Sequence, residues 1–197
     1  MEKSLEMVAG IRAGLTKVAR ILIAGSYLSF RVADQLYAVR VVNVRRILFA
    51  SEILPLRGMP DHVRGVMKLQ DRLVPVLSLQ PKIPMASASP LVILVRVNYP
   101  KGGSIDACFL TESDPNLCHF TPEEIVTRKE SDLGVPPGFF TASAVRENQS
   151  FALLALHKIV PESLSRSLTE RIAEIGNPSD DLWRFNRECL LTNPRAN

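Results

Sequence analysis

Aromatic residues and cysteines are scarce in this sequence, and their scarcity excludes several classes of protein. Aromatic side chains make up 6% of the 197 residues, with a single tryptophan, so the stacking platform of a single-stranded nucleic-acid binder is not indicated. The three cysteines, at positions 108, 118 and 189, are an odd number without the spacing of a disulfide framework. They predict a reducing setting, and we expect the protein to be cytoplasmic.

Long apolar runs and the motifs of enzymes and metal sites are also lacking. The first 25 residues intersperse basic with apolar side chains, so they match neither a signal peptide nor the ~20 apolar residues of a membrane span. No phosphate-binding loop or dinucleotide fingerprint occurs, and Cys108, Cys118 and His119 lack the spacing of a zinc site. We therefore predict a protein that is not an enzyme, with no cofactor, no metal and no integral membrane segment.

The charged residues that are present give the chain a mild basic character. The net charge is +4, and residues 26–80 alone carry 8 Lys and Arg against 4 Asp and Glu. Arg40, Arg45 and Arg46 lie close together in this stretch, but there is no dense basic stripe with interleaved aromatic residues. The pattern indicates a basic face for an acidic protein partner, or solvated surface, and no nucleic-acid partner.

The stretch 53–79 is the one around which the chain is organised. It predicts a β-hairpin, because two runs rich in aliphatic and β-branched residues, 66–69 and 72–79, flank Gln70 and Asp71. A type I′ turn requires a positive φ at both central residues, which Asp tolerates better than Gln.

Hydrophobic periodicity predicts further elements on both sides of this hairpin. Residues 73–79 and 150–156 match in pattern at an offset of 77, which predicts an internal duplication. Apolar runs predict strands at 27–30, 36–42, 47–49, 91–97 and 105–110. Helical spacing predicts amphipathic helices at 5–22, 162–175 and 179–191. We expect the first helix to pack on its own domain through an apolar face that includes Val18 and Leu22. The alternative is a detachable amphipathic helix that docks on a partner or on a membrane surface.

The hairpin sequence resembles that of a known family. The string PDHVRGVMKLQDRLVPVLSL, from Pro60 to Leu79, is similar to a pattern of the CheW-like family, whose members couple receptors to a histidine kinase in bacterial chemosensory arrays. The segments from residue 26 to residue 160 follow in the family's order. The resemblance implies a mainly β fold of two SH3-like small β-barrels, at about 26–80 and 91–160, with added helical extensions at 1–25 and 161–197.

The resemblance also implies two sets of partner-binding residues. The kinase-side residues are Val44, Arg46, Ile47, Gly65 and Val66. The receptor-side residues, near a groove between the barrels, are Leu69, Gln70, Asp71, Cys108 and Glu112. Some positions depart from the family pattern, because an acidic residue is usual at Arg46 and an Asn-Leu-Arg-Gly turn is usual where this chain has Lys-Leu-Gln-Asp.

The function that the resemblance implies is that of a non-enzymatic adaptor, or scaffold, in chemotaxis signal transduction. Its partners would be a CheA-like histidine kinase and a methyl-accepting chemoreceptor. Because Arg46, Gln70 and Asp71 change the contact chemistry, an alternative is a divergent member that has lost the usual receptor or kinase contacts. Such a protein would bind another partner, for example in pilus-linked motility signalling. A β-barrel nucleic-acid binder or enzyme is a remote alternative, which no residues support.

Overall fold

A computed structural model of the chain describes residues 17–80, 91–126 and 138–175, and within them the fold is mainly β. The strands are β1 (Gly25–Val32), β2 (Gln35–Arg40), β3 (Val44–Phe49), β4 (Ile53–Leu54), β5 (Val63–Leu69), β6 (Arg72–Leu77), β7 (Leu91–Asn98), β8 (Ser104–Thr111), β9 (Asn116–Phe120), β10 (Ile125–Val126), β11 (Phe140–Arg146) and β12 (Gln149–Leu154). The helices are α1, described over residues 17–23, α2 (Leu156–Ile159) and α3 (Glu162–Ile175), and a 3₁₀ turn covers Val41–Asn43. None of these described helices is long and apolar enough to cross a lipid bilayer.

The strands form two six-stranded sheets, and each sheet belongs to one of two compact units. The first sheet has the order β10-β11-β12-β2-β1-β9, and the second has the order β3-β7-β8-β6-β5-β4. Among the described residues, the first unit combines 17–44 with 111–159, and the second combines 45–110 with 160–175. The predicted strands are present with shifted ends, and the helix predicted at 162–175 is α3. The helix predicted at 179–191 lies outside the described residues.

Neither unit is continuous in sequence, which corrects the predicted division into one barrel at 26–80 and a second at 91–160. β1 and β2 join the sheet built by β9 to β12, while β7 and β8 join the sheet built by β3 to β6. The two joins are equivalent, because β2 pairs in parallel with β12 and β8 pairs in parallel with β6. Each half of the chain therefore gives its first two strands to the sheet of the other half.

The two sheets repeat one strand order, which supports the predicted internal duplication. Read from its other edge, the second sheet runs β4-β5-β6-β8-β7-β3, which matches the first sheet strand for strand. β5 and β11 begin 77 residues apart, as do β6 and β12. The register irregularity after Val63 in β5 also recurs after Phe140 in β11. The same hairpin pattern is therefore used in both sheets.

The turns of these two equivalent hairpins differ in backbone conformation. Between β11 and β12, Glu147 and Asn148 both have a positive φ, of 49° and 61°, as a type I′ turn requires. Between β5 and β6, Gln70 has a φ of 55°, whereas Asp71 has no positive φ, so only the first central residue is left-handed. The expectation of a type I′ turn here is therefore wrong, because such a turn requires a positive φ at both central residues.

Gln70→Gly is expected to raise the free energy of unfolding by about 1 kcal/mol, since glycine adopts this φ without the steric cost that an L residue bears. Asp71→Gly is the matched control, because it changes the same turn at a position without a positive φ and should not stabilise the fold. Urea unfolding of the two variants and the native chain measures both effects. Equal unfolding midpoints for the two variants would contradict the inference that the steric cost of this turn lies at Gln70.

Each unit buries an apolar core of its own. In the first unit, the rings of Tyr27 and Phe151 pack on the ring of Phe120, with centroid separations of 5.6 and 5.1 Å. In the second unit, one cluster joins inward-facing residues of β5 to β8, including Met67 and Cys108. Burial of this apolar area, at about 25 cal/mol per Å², is the main force that holds the strands in place.

α3 covers a second apolar cluster in the second unit. Leu164 and Leu168 are buried, and Ile172 and Ile175 pack against a group that contains Val66. These four residues lie at helical spacing on one face, as expected of the amphipathic helix predicted at 162–175. One consequence is that α3 shields the face of β5 on which Val66 lies.

The described end of α1, residues 17–23, does not bury the two residues of the predicted apolar face that it contains. Val18 and Leu22 are mostly exposed in the described part of this helix, so the expectation that they pack on the domain is wrong. The end of the helix is instead held by Arg40, which donates to the carbonyl oxygens of Leu22 and Ile23. A cation at this position satisfies the last carbonyl groups and interacts favourably with the helix dipole. Arg40 therefore supports the fold and is not part of a free basic face.

A bidentate ion pair joins two segments of the first unit. Arg146 donates to the carboxylate of Glu124 through Nε at 2.6 Å and through Nη2 at 2.8 Å, and the backbone N–H of Thr121 donates to it at 2.8 Å. The hydrogen bond from Arg146 is the main reason that the pKa of Glu124 is lowered from 4.5 to about 2. The ionised carboxylate is thus the form that the folded state prefers.

Glu124→Gln is expected to lower the free energy of unfolding by about 1 kcal/mol at pH 7, where the carboxylate is ionised in both states. Because the folded-state pKa lies below the unfolded value of 4.5, this contribution is complete above about pH 4.5 and is lost as the pH falls through about 2. Thermal unfolding at pH 7 and pH 2 measures the difference between native chain and variant. Glu170→Gln, at an exposed position of α3, is the control. If Glu124→Gln were still as much less stable than the native chain at pH 2 as at pH 7, the ionised carboxylate would not be the source of the stabilisation.

Candidate partner-binding surfaces

β3 forms an open edge of the second sheet and exposes apolar side chains. Its neighbour in that sheet is β7, and no described strand pairs with its outer edge. Ile47 is 45% exposed and Phe49 is 69% exposed. Because side chains alternate along a strand, both lie on the same side as Arg45, which is also exposed. We call Arg45, Ile47 and Phe49 the β3 face.

The other side of β3 carries two of the kinase-side residues predicted from the resemblance. Val44 is half-buried, and Arg46 is exposed. In the part of the chain that the structure describes, neither Arg45 nor Arg46 forms an ion pair. β3 therefore presents positive charge on both of its sides next to exposed apolar area.

The remaining two predicted kinase-side residues, Gly65 and Val66, are buried. Val66 has no exposed surface and belongs to the cluster beneath α3. Gly65 lies so close to β4 that a Cβ atom would stand 2.0 Å from the carbonyl oxygen of Leu54. The structure therefore gives both residues a part in packing, and only Val44, Arg46 and Ile47 of the predicted set lie together on β3.

The receptor-side residues predicted from the resemblance are dispersed. Gln70 and Asp71 are exposed at the tip of the β5–β6 hairpin, and Leu69 beside them is half-buried. Cys108 is fully buried in the core of the same unit. Glu112 belongs to the other unit, where its carboxylate accepts a hydrogen bond of 2.7 Å from the backbone N–H of Ala33 in the β1–β2 turn. Three of the five are thus grouped at one hairpin.

The cysteines of the described segments show no sign of reactive chemistry. Burial raises the pKa of Cys108 to about 12, and burial is also the main cause of the raised pKa of Cys118. Both thiols are therefore protonated near neutral pH, whereas nucleophiles and metal ligands are thiolates. No group of three or more His, Cys, Asp and Glu side chains among the described residues could hold a metal ion.

Comparison of the sequence with known protein families agrees with this architecture. Residues 26–163 match the CheW-like domain. The chain belongs to the CheW-like family. Among solved structures, the scaffolding protein TtCheW from Thermoanaerobacter tengcongensis is similar with a TM-score of 0.58 and 14% sequence identity. That likeness covers 72% of this chain and 95% of TtCheW, and it confirms the predicted fold of two SH3-like small β-barrels.

Two curated CheW proteins are similar to this CheW-like chain over shorter stretches. The chemotaxis protein CheW of Rhizobium meliloti (strain 1021) is 30% identical over 80 residues, which are 40% of this chain and 52% of that protein. The chemotaxis protein CheW of Treponema pallidum (strain Nichols) is 21% identical over 61 residues, which are 31% of this chain and 36% of that protein. The matches thus span about half of the first relative and about a third of the second.

Phe49 is a surface residue of this CheW-like chain that sequence reasoning missed. The sequence predicts a strand at this position, but a phenylalanine in a short apolar run is read as a core residue. Its exposure follows from the place of β3 at a sheet edge, and that place depends on pairing with β7, more than 40 residues further along the chain. The one available signal is the neighbouring Arg45-Arg46 pair, which is unusual for a buried strand.

Proposed function

We propose that this CheW-like chain is a non-enzymatic adaptor that couples a CheA-like histidine kinase to methyl-accepting chemoreceptors in the cytoplasm. Family membership supports this class of function, and the names of the relatives, chemotaxis proteins and a scaffolding protein, agree with it. The observation that carries the proposal is the β3 face, where Phe49 stands 69% exposed on an open edge strand. Exposed apolar side chains grouped on an unpaired edge strand are typical of a surface that a partner covers.

The β3 face has the composition of a protein-docking surface. Ile47 and Phe49 supply apolar area, and an aromatic anchor within a charged rim is a common arrangement of binding hot spots. Arg45 supplies positive charge on this face, and Arg46 supplies it on the other side of the same edge strand, so the matching kinase surface is an apolar pocket flanked by acidic side chains. The family usually has an acidic residue where this chain has Arg46. The kinase of this system would therefore carry an acidic side chain opposite Arg46, in place of a basic one.

The tip of the β5–β6 hairpin is the proposed receptor contact. Gln70 and Asp71 are exposed there, and both can form hydrogen bonds with a receptor backbone or side chain. Leu69 packs against the cluster that contains Cys108, so that buried thiol supports the hairpin without touching a partner. Glu112 stabilises the β1–β2 turn of the other unit. The proposed receptor site is therefore smaller than the resemblance implies.

Calorimetric titration with the regulatory domain of a histidine kinase from the same cell tests the adaptor proposal. We expect micromolar or tighter binding by the native chain, and weaker binding by Arg46→Glu, because the substitution reverses a positive charge on the same edge strand as the β3 face. Gln70→Arg, which restores the family's residue at the hairpin tip, is the comparison, and it should leave kinase binding unchanged. Absence of binding by the native chain and by both variants would contradict the proposal.

A divergent adaptor for another partner is the second candidate, and the residues at Arg46, Gln70 and Asp71 favour it. Each of them replaces the family's usual contact chemistry with a different charge or shape. The double variant Arg46→Glu with Gln70→Arg separates the two candidates in the same titration. Binding that appears only in the double variant would mean that the native chain has abandoned the kinase contact and serves a different complex, such as a pilus-linked one.

A further inference from the structure

Three charged side chains meet at one end of the second sheet. Asp106 of β8 accepts hydrogen bonds from Nε and Nη2 of Arg96, at 2.8 and 3.1 Å, and lies 2.8 Å from Nη1 of Arg72. The side chain of Asp106 is 6% exposed, whereas those of Arg96 and Arg72 are 38% and 54% exposed. The buried carboxylate therefore fixes two guanidinium groups that remain open to solvent.

This cluster retains positive charge and unused donors. One carboxylate faces two guanidinium groups, so the cluster carries a net charge of +1. Within the described segments, Nε and Nη2 of Arg72 make no hydrogen bond, and these two atoms form the edge that grips a carboxylate in a bidentate manner.

The two arginines and Asp106 line a cavity of about 270 Å³. Ser104 and Thr169 bring hydroxyl groups to its wall, and Ile172 of α3 brings an apolar side chain. The cavity is slightly smaller than the ~300–1,000 Å³ of typical small-molecule sites, so it suits a ligand of a few non-hydrogen atoms. All of its lining residues belong to the second unit, within residues 45–110 and 160–175.

We propose that this cavity, the β8 pocket, binds a small carboxylate with a short apolar tail. A singly charged carboxylate on the free edge of Arg72 neutralises the net charge of the cluster, and its tail lies against Ile172. A phosphate dianion fits less well, because it would leave excess negative charge beside the buried Asp106. The assignment does not depend on the kinase-docking proposal, since it uses neither the β3 face nor the hairpin tip.

Titration of the nitrogen-15-labelled full chain with sodium butyrate, followed by NMR at constant ionic strength, tests the assignment. We expect saturable shifts of the Nε–H signals of Arg72 and Arg96 and of the amide of Thr169. The dissociation constant should be on the order of 1 mM, because so small a ligand offers few contacts. Sodium chloride and 1-butanol are the probe controls for ionic strength and for the apolar tail, and neither should saturate these signals.

Three variants sharpen the test. Arg72→Gln removes the free guanidinium edge and should weaken butyrate binding at least about fivefold. Arg57→Gln loses the same charge at an exposed position outside the cavity and should bind butyrate as the native chain does. Thr169→Glu places a competing carboxylate at an exposed position of the cavity wall and should also weaken binding.

Two results would overturn the assignment. The first is a shift pattern that rises linearly with butyrate and equals that produced by chloride. The second is the same butyrate affinity for the native chain and for Arg72→Gln, with the Arg72→Gln spectrum showing an intact fold.

Discussion

Gly65→Ala is expected to lower the free energy of unfolding by about 3 kcal/mol or more. A Cβ atom at this position would stand 2.0 Å from the carbonyl oxygen of Leu54 and 2.9 Å from the Cα atom of Pro55. Both are backbone atoms, so no side-chain rotation relieves the overlap, and the φ of 144° is itself a glycine conformation. Overpacking and backbone strain each cost about 1–3 kcal/mol. Relief would require β4 to leave β5, which uncovers Val66.

Gly58→Ala is the matched control for this prediction. Gly58 has a φ of 73°, but a Cβ atom there would meet no atom within 4 Å. Its substitution should therefore cost only the conformational penalty, on the order of 1 kcal/mol. Urea unfolding of both variants gives the two costs. Equal costs would show that the close approach of β4 to Gly65 is not important for stability.

Phe49→Ala is expected to weaken binding of the kinase regulatory domain by at least about tenfold. A fully covered aromatic anchor at the centre of an interface typically contributes about 2 kcal/mol or more, which exceeds a factor of ten in affinity. Because Phe49 is 69% exposed in the free chain, its truncation should change the free energy of unfolding little. Calorimetry gives the affinity, and thermal unfolding of the same sample reports on the fold.

The internal duplication supplies the control for this substitution. Leu117 is 74% exposed on β9, which is the strand of the first sheet that corresponds to β3 in the second. Leu117→Ala therefore removes a similar apolar side chain from an equivalent edge and should leave kinase binding unchanged. Equal losses of affinity in the two variants would contradict a docking surface confined to the β3 face.

The hairpins could be predicted from the sequence because their signals are local. The two runs of apolar residues around Gln70 and Asp71, and the offset of 77 to the second hairpin, both follow from residue patterns over short stretches. The exchange of strands between the halves could not be predicted in the same way. It depends on pairs such as Leu36 with Phe151, which are separated by most of the domain and leave no local pattern.

The predicted partner-binding residues illustrate the same difference between local and long-range signals. Ile47 and Val66 are both β-branched residues in predicted strands, and apart from the Arg45-Arg46 pair beside Ile47 no local sequence feature separates a surface role from a core role. The structure separates them because β3 lies at a sheet edge, whereas β5 is an inner strand whose face is covered by α3. Burial in this protein is decided by strand order, and strand order is a long-range property.

Hydrogen exchange of the chain, alone and with the kinase regulatory domain, tests the docking proposal most directly. The amides of residues 44–49 lie on an open edge and should exchange faster than those of β5 and β6 in the free chain. On binding, we predict that protection rises over residues 44–49, while the equivalent edge at residues 116–120 stays unchanged. Binding with protection elsewhere and none on β3, or no binding, would contradict the account.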